Sequence, residues 1–434
     1  MDVDIYNNNR DTIDNTIITM NYMDIDIDDG MTTSDTTVYK GKDDNEISTT
    51  INNQNININV YGTASIQNID RDSINFVNGQ ILNLYKCLVQ MNLNDNDEPN
   101  CLFGSSIYHL LHLIAEGMAG ASKEEIVKNG HESFMKRLID ESPKPSHRRS
   151  GVFIREGYFF NQSYLDKFSN NKDVILSVLP SNENLMNKVN EKALLAFPDW
   201  GHNEPFINTP VDGACRMYLK DESCFEGFWD EKFDSDNTKL ADFHIGDNAT
   251  VQIPMMINFK PSMFMYKDEA KRCDFFHVPY DLEDGGGLLI ILPRKAMNKR
   301  ELVEFCVNQI SERDIIDFYL VNGKYKSCHH VRLPKFEFEC HWDLGIGASG
   351  VFGVSVLDLR GVSSEFEIGF DSISAQSKTK FTVDECGTFI KTETAIIINE
   401  LMDRGENVDI DRSFLFATID KDMKMSSFGL YNGK

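Results

Sequence analysis

Histidine and cysteine side chains lie close together at two places in the sequence, and these residue types bind metal ions. The runs are Cys328-His329-His330 and Cys340-His341. A structural zinc site usually takes paired ligands two to four residues apart, followed by a second such pair, and these runs do not fit that spacing. Neighbouring residues of a strand also point to opposite faces. The sequence therefore predicts no metal site.

Glycines spaced as in a dinucleotide-binding loop occur from Gly345 to Gly350. Such a loop needs a helix directly after it, because the helix N-terminus binds the pyrophosphate. The residues that follow, 351–356, are rich in β-branched side chains and are poor helix formers. Gly285–Gly287 lacks the lysine and hydroxyl residue of a phosphate loop and favours a hairpin turn. We predict turns at both places and no cofactor.

The sequence signatures of hydrolytic enzymes are missing. The chain has no G-x-S-x-G nucleophile turn and no H-E-x-x-H zinc motif. With no constellation for nucleophilic or metal-assisted catalysis, we interpret the chain as a protein that is not an enzyme.

The composition limits the classes of molecule that the chain could bind. The chain has 434 residues, 41% of them hydrophobic, and a net charge of -25. This charge repels phosphate backbones, which disfavours nucleic acid as a partner. No apolar run reaches about 18 residues, so we predict no membrane span. There is no signal-peptide pattern, and the nine scattered cysteines suggest free thiols. These features predict a cytoplasmic protein.

The chain divides into two parts that differ in composition and in hydrophobic pattern. Residues 1–73 are rich in Asn and Asp and predict a disordered acidic extension. Residues 74–434 show no linker and predict one domain. Apolar residues recur at helical spacing in 74–88, 107–114 and 302–320, residues 139–150 read as a loop, and strand alternation dominates after Val331. Helices first and strands later indicate the α+β class.

Several motifs in this second part resemble those of the serpin family, in order and in spacing. The resemblance covers roughly residues 74–434. It rests on these segments: Asn100 to Glu116, Phe225-Glu226-Gly227-Phe228-Trp229, Val278-Pro279-Tyr280, Leu333-Pro334-Lys335-Phe336, Asp358-Leu359-Arg360-Gly361, Phe381 to Thr388, and Arg412 to Phe416.

The resemblance implies an α+β fold with three β-sheets, eight to nine helices and an exposed reactive-centre loop. In that family a protease cleaves the loop and forms an acyl-enzyme, and the loop then inserts into the main sheet. The implied partner is a target serine protease, and the protein would act as a monomer. Family members are largely extracellular, so secretion without a cleaved signal is the alternative to the cytoplasm.

The hinge of this loop is expected at Glu385, Gly387 and Thr388, followed by Ile390, Thr392 and Thr394. Gly387 to Leu401 is fourteen residue steps, or about 46 Å of strand. Alternate residues starting at Thr388 carry no charge, whereas the other set includes Lys391 and Glu393. The uncharged set must therefore face the core if the loop inserts.

The sequence departs from the family pattern at some of these positions. Small residues are usual after the first threonine, and here Phe389 and Ile390 follow; overpacking by Ile390 would cost about 1–3 kcal/mol. In the shutter and breach regions the resemblance implies roles for Trp229, Ser106, Asp221 and Ser377. Asp221 stands where asparagine is usual, and Ser377 where histidine is common.

The family's usual loop length places the cleaved bond at Leu401–Met402, and counting back from Phe414 favours Met402. Leucine or methionine suits a chymotrypsin- or elastase-like protease, whereas Arg404, the other candidate, suits a trypsin-like one. A non-inhibitory serpin that acts as a binding, storage or chaperone-like protein is the alternative function, because bulk and charge at the hinge slow insertion.

Overall fold

The structure is a computed structural model. It describes residues 70–91, 100–128, 130–179, 185–196, 216–247, 249–259, 261–281, 286–343, 358–366, 376–389 and 406–433. The extension expected over 1–73 lies outside these residues except at 70–73, and the division at residue 74 stays a prediction. Asp70 starts the first helix, since its carboxylate accepts a hydrogen bond from the backbone N–H of Ser73 at 3.1 Å.

The described residues form eight α-helices, which lie mainly in the first half of the chain. These are α1 (Arg71–Met91), α2 (Gly104–Glu116), α3 (Gly120–Lys128), α4 (His131–Glu141), α5 (Gln162–Phe168), α6 (Leu185–Ala196), α7 (Lys299–Gln309) and α8 (Glu312–Asp317). Searched over the described residues, the helices include none with both the length and the apolar character of a membrane span.

Two sequence-based boundaries were wrong. The single helix expected over 302–320 is two helices, because Ser311 caps α8 through a reciprocal bond with Asp314. The loop expected over 139–150 contains the end of α4 and the start of a strand at His147. Only 142–146 connect the two, and Pro143 and Pro145 lie there.

Seventeen strands are described. They are β1 (Asn100–Phe103), β2 (His147–Arg155), β3 (Val174–Leu179), β4 (Met217–Cys224), β5 (Glu226–Phe228), β6 (Lys239–Gly246), β7 (Ala249–Phe259), β8 (Ser262–Asp268), β9 (Cys273–Pro279), β10 (Gly287–Pro293), β11 (Lys324–Pro334), β12 (Phe336–Asp343), β13 (Gln376–Val383), β14 (Gly387–Phe389), β15 (Glu406–Asp409), β16 (Phe414–Ile419) and β17 (Met425–Tyr431).

These strands make three sheets, as the resemblance implies. The largest has ten strands in the order β1-β17-β16-β10-β9-β8-β11-β7-β6, with β15 parallel to β11 beside that path. A four-stranded sheet has the order β12-β13-β14-β5, and a three-stranded sheet has the order β3-β2-β4. The two smaller sheets are connected directly along the chain, since Phe225 alone separates β4 from β5.

The core lies between the ten-stranded and the four-stranded sheets. Phe336 of β12 stacks on Tyr431 of β17 with ring centroids 4.2 Å apart, and Phe381 of β13 meets Phe416 of β16 at 4.6 Å. α1 is fixed to the same core by Asn78, whose amide donates to the carbonyl of Met423 and accepts from the N–H of Met425. The ten-stranded sheet is thus joined to the four-stranded sheet by buried aromatic contacts and to α1 by buried hydrogen bonds.

Candidate functional site

The expected hinge lies inside a sheet. Residues Gly387–Phe389 form β14, which pairs antiparallel with β13 on one side and with β5 on the other. Thr388 lies opposite Val383 of β13 and Gly227 of β5. Three residues of the segment expected to insert are therefore already a central strand.

Gly387 is needed for close approach to the neighbouring strand. A Cβ atom at this position would lie 2.2 Å from the carbonyl oxygen of Gly227, which is well inside van der Waals contact. The hinge expected at Gly387 would need a residue whose backbone angles can change freely. The structure adds a packing reason, because the partner backbone leaves no room for a side chain.

Thr388 and Phe389 point to opposite faces of the sheet and are both buried. Thr388 is fully buried beside the phenol of Tyr280. Phe389 is only 1% exposed and packs edge-to-face on Phe228, with ring centroids 5.2 Å apart. The alternation of charge placed only the Thr388 set towards the core. At Thr388 and Phe389 the opposite face of the sheet is buried as well, and the side chain of Phe389 lies on that face.

Trp229 fixes the end of β5 against the hinge. Its indole ring stacks on Tyr280 at 5.4 Å, and its Nε1–H donates to the carbonyl of Asp384 at 2.8 Å. The backbone N–H of Trp229 donates to the carbonyl of Cys386 at 2.9 Å. A buried indole thus holds the turn between β13 and β14 by side chain and backbone together.

Glu385 holds the same turn by its carboxylate. One oxygen accepts from the hydroxyl of Thr238 at 2.8 Å, and the other pairs with the ammonium of Lys335 at 2.6 Å. Partial burial acts to raise the pKa of Glu385, but these two partners outweigh it and lower the pKa below its usual value. The carboxylate is therefore ionised at neutral pH and links the turn to the residue between β11 and β12.

A second polar site lies around Asp221 of β4, in the three-stranded sheet. Its carboxylate accepts hydrogen bonds from the hydroxyls of Ser106 at 2.5 Å, Ser150 at 2.5 Å and Ser223 at 2.9 Å. Arg148 of β2 lies 3.4 Å away. We call Ser106, Arg148, Ser150, Asp221 and Ser223 the polar cluster; it joins α2, β2 and β4 through one carboxylate.

The side chain of Asp221 is completely buried, and that of Arg148 is 13% exposed. Burial raises the pKa of Asp221, and Arg148 and the three serines oppose that rise. His109, one turn beyond Ser106 on α2, stays neutral because burial first and Arg148 second lower its pKa to about 3. Arg148 is thus the cation that faces the Asp221 carboxylate.

Sequence reasoning found Ser106 and Asp221 but missed Arg148, Ser150 and Ser223. Arg148 fell in the run read as a loop, although it lies on β2, where Ser150 is in register with Asp221. The signal that could have found it is the aspartate itself. Its neighbours Lys220, Glu222 and Ser223 are polar too, but a carboxylate buried in the strand needs a cation or several donors, and the cluster supplies both.

The other expected site residues are placed as follows. Ser377 lies on β13 in register with Trp342 of β12. Ile390, Thr392, Thr394, Leu401, Met402 and Arg404 lie outside the described residues, and so does the 345–350 glycine pattern. Cys328 is buried, and His330 pairs with Asp409 at 3.1 Å. Across the described ranges no group of three metal-ligating side chains occurs.

Comparisons with known proteins agree with this architecture. The family model described as "Serpin (serine protease inhibitor)" matches residues 82–429. Plasminogen activator inhibitor 1 from Bos taurus is 27% identical over 243 residues, which cover 52% of this chain and 58% of that protein. Leukocyte elastase inhibitor from Equus caballus is 24% identical over 49% of this chain and 57% of that protein. The match spans less than two thirds of either relative.

Solved structures show the same fold at low identity. A complex of thyroxine-binding globulin with thyroxine has a TM-score of 0.64 and 18% identity, covering 84% of this chain and 99% of that one. A loop-inserted structure of a cleaved ovalbumin mutant has a TM-score of 0.65 and 14% identity, covering 83% and 98%. At these identities the likeness concerns the fold alone.

Proposed function

Because the chain belongs to the serpin family, we propose that it inhibits a serine protease as a suicide substrate. The observation that carries the proposal is β14. The first residues of the loop lie between β5 and β13 with both neighbours hydrogen-bonded. A sheet that accepts three residues of the loop has the geometry to accept more of it as the same strand.

The proposed chemistry takes place in the protease. Its serine oxygen bonds to the carbonyl carbon of the residue before the cleaved bond, the peptide C–N bond breaks, and the amine leaves with a proton. Leu401–Met402 is the proposed bond, with Arg404 as the alternative. The chain supplies the substrate bond and no catalytic group, so the proposal assigns it no enzymatic activity.

The released loop would then extend β14. Among the described strands β4 pairs with β2 alone, and β13 residues below Thr382 pair with β12 alone. An inserted segment would bond to the edge of β4 that faces away from β2 and to the edge of β13 that faces away from β12, and each new ladder bond contributes about 0.5–1.5 kcal/mol. Insertion must be faster than hydrolysis of the acyl-enzyme for the protease to be trapped. A chymotrypsin- or elastase-like protease is the proposed target, since leucine or methionine fits its specificity pocket.

A non-inhibitory binding, storage or chaperone-like role is the second candidate. It is favoured by the bulk of Phe389, which is already buried, and of Ile390, where small residues are usual in inhibitors. If such side chains slow insertion, the acyl-enzyme hydrolyses first and the protein is only a substrate.

Incubation with chymotrypsin, elastase and trypsin tests the proposal, read on denaturing gels and by mass spectrometry. A covalent complex together with a short C-terminal fragment supports inhibition, and the first residue of the fragment identifies the cleaved bond. Clean cleavage by all three proteases with no complex would rule out inhibition of these enzymes and favour the second candidate. The cellular location stays a prediction, with the cytoplasm favoured from the sequence.

A further inference from the structure

A pocket lies where the ten-stranded sheet meets the segment after β5. It encloses about 320 Å³, part of which is open to solvent. Its walls come from β7, β8, β9 and β11 and from the segment 231–233. The apolar lining residues are Phe233, Pro261, Met263, Val278, Pro279 and Val331. We call this cavity the Phe233 pocket.

The apolar walls of the Phe233 pocket belong to the core. Met263 and Val331 are each 1% exposed, and Phe233 is 6% exposed. Val331 lies in register between Asn258 of β7 and Val408 of β15, and these paired strands hold the wall in place. Small-molecule sites are typically preformed, apolar clefts of about 300–1,000 Å³ with few polar groups. A cavity at the lower limit of this range takes a ligand with one ring.

Two polar residues, Glu231 and Asn258, complete the lining. The amide of Asn258 donates to the backbone carbonyl of Glu231 at 3.4 Å, which holds the two residues side by side. Partial burial raises the pKa of the Glu231 carboxyl, Asp230 raises it further, and Asn258 opposes the rise. The carboxylate has thus lost part of its hydration, and an ammonium group of a ligand would give it a charged hydrogen-bond partner.

The charges around the pocket favour a cation over an anion. Asp281 raises the pKa of Asp230, so these two carboxyls lie close together beside Glu231. The next residue along the chain, Lys232, is not part of the lining, and its ammonium lies 5.9 Å from the centre of the Phe228 ring. The potential at the pocket therefore attracts an ammonium ion and repels carboxylate and phosphate groups.

Phe233 joins the pocket to the hinge turn. Its backbone N–H donates to the carbonyl of Glu385 at 2.9 Å, and its ring meets that of Trp229 edge-to-face with centroids 6.1 Å apart. A ligand packed on Phe233 restrains this backbone hydrogen bond, so exchange of the Phe233 amide reports whether the ligand lies in the pocket.

We propose that the Phe233 pocket binds a small amine, whose single aromatic or aliphatic ring packs on the apolar walls and whose protonated amino group pairs with Glu231. Burial of the ring supplies most of the affinity, and the carboxylate selects amines over alcohols and acids of the same shape. The inference does not depend on inhibition of a protease, since the lining residues all lie between 231 and 331 and the loop supplies none of them.

The test uses phenethylamine, 2-phenylethanol and phenylacetate, which share a ring and differ in charge. A ligand-observed NMR titration of the full chain should give a dissociation constant of about 1 mM for the amine, as expected for a ligand of about nine non-hydrogen atoms. The alcohol should bind about threefold to tenfold more weakly, and the acid more weakly still. Saturation with the amine should slow hydrogen exchange of the Phe233 amide.

Three variants locate the site. Glu231→Gln should weaken binding of phenethylamine about threefold to tenfold and change binding of phenylethanol by less than about twofold. Glu304→Gln changes an exposed carboxylate of α7 outside the lining, so it is the matched control and should leave all three affinities unchanged. Asn258→Phe places a ring in the pocket and should abolish binding of the amine and of the alcohol. Thermal melts check that each variant is folded.

Absence of saturable binding of phenethylamine up to about 10 mM would overturn the proposal. An equal loss of affinity in Glu304→Gln and Glu231→Gln would overturn it too, because the effect would then come from overall charge. Binding that leaves exchange of the Phe233 amide unchanged would place the ligand elsewhere and refute the pocket. If Asn258→Phe does not fold, the comparison of Glu231→Gln with Glu304→Gln decides alone.

Discussion

Two regions of the smaller sheets are held by different kinds of contact: the surroundings of β14 in the four-stranded sheet, which we call the upper end, and the surroundings of β4 in the three-stranded sheet, which we call the lower end. At the upper end, β14 fills the space between β5 and β13, and Trp229, Tyr280, Phe228 and Phe389 pack around it. At the lower end, β4 pairs with β2 alone among the described strands, and the polar cluster around Asp221 ties it to α2.

The difference separates two tasks. Aromatic packing at the upper end depends on buried area and shape, so it resists changes of pH and salt. The polar cluster depends on one buried charge, so its strength follows the ionisation of Asp221. In the proposed mechanism, insertion of the loop begins at the upper end and proceeds to the lower end. The substitutions below distinguish the two ends by the size of the loss in the free energy of unfolding and by how that loss depends on pH.

The largest effect is expected at Trp229. Trp229→Ala removes a buried indole and should lower the free energy of unfolding by about 3–5 kcal/mol at any pH between 5 and 8. Trp229→Phe keeps most of the ring but leaves the carbonyl of Asp384 without its donor, a loss of about 1–2 kcal/mol. Urea unfolding measures both. A loss that changes strongly with pH would contradict the apolar account of the upper end.

Arg148→Met should be almost as costly at neutral pH. It leaves the buried carboxylate of Asp221 without its cation, and breaking a buried pair from one side costs about 3–5 kcal/mol. Asp221 can then take up a proton more readily, so urea unfolding at pH 5 should show a smaller loss than at pH 8. The double variant Arg148→Met with Asp221→Asn should recover much of the loss. Additive losses in the double variant would mean that the two side chains act independently.

Asp221→Asn alone should change the pH profile. The pKa of Asp221 is raised in the folded protein, so the folded state holds the proton more tightly than the unfolded state. Wild-type stability should therefore gain from this group as the pH falls towards the raised pKa and lose it as the pH rises through that value. The asparagine variant should lack this component. Identical slopes in thermal melts from pH 4 to 8 would show that Asp221 does not titrate differently on folding.

The smallest effect is expected at Glu385. Its partner Lys335 is 44% exposed, so solvent screens the pair, and Glu385→Gln should cost about 1 kcal/mol or less. The lowered pKa gives a contribution that is present above the usual glutamate range and lost as the pH falls through the folded pKa. Wild type and variant should therefore converge in urea unfolding at pH 3. A double-mutant cycle with Lys335→Met that gives several kcal/mol would contradict this.

Sequence reasoning found the residues that are special by local pattern and missed those defined by distant partners. Motif and period singled out Gly387 and Thr388 and the helix that is α2, and the hinge role of Gly387 and Thr388 stays a prediction. The close approach of Gly227 to Gly387 joins residues 160 positions apart, and no local pattern contains it. Arg148 was missed because two prolines nearby indicated a loop, although strand pairing with β4 overrides that preference.

Hydrogen exchange before and after cleavage of the loop at 401–404 tests insertion most directly. In the uncleaved protein the amides of Gly387–Phe389 should be protected, whereas amides of β4 that point away from β2, and amides of residues 376–381 that point away from β12, should exchange faster. After cleavage, protection should extend down Met217–Cys224 and Gln376–Phe381, with a rise in melting temperature. Unchanged exchange of these two strands after complete cleavage would contradict loop insertion, and with it the inhibitory function.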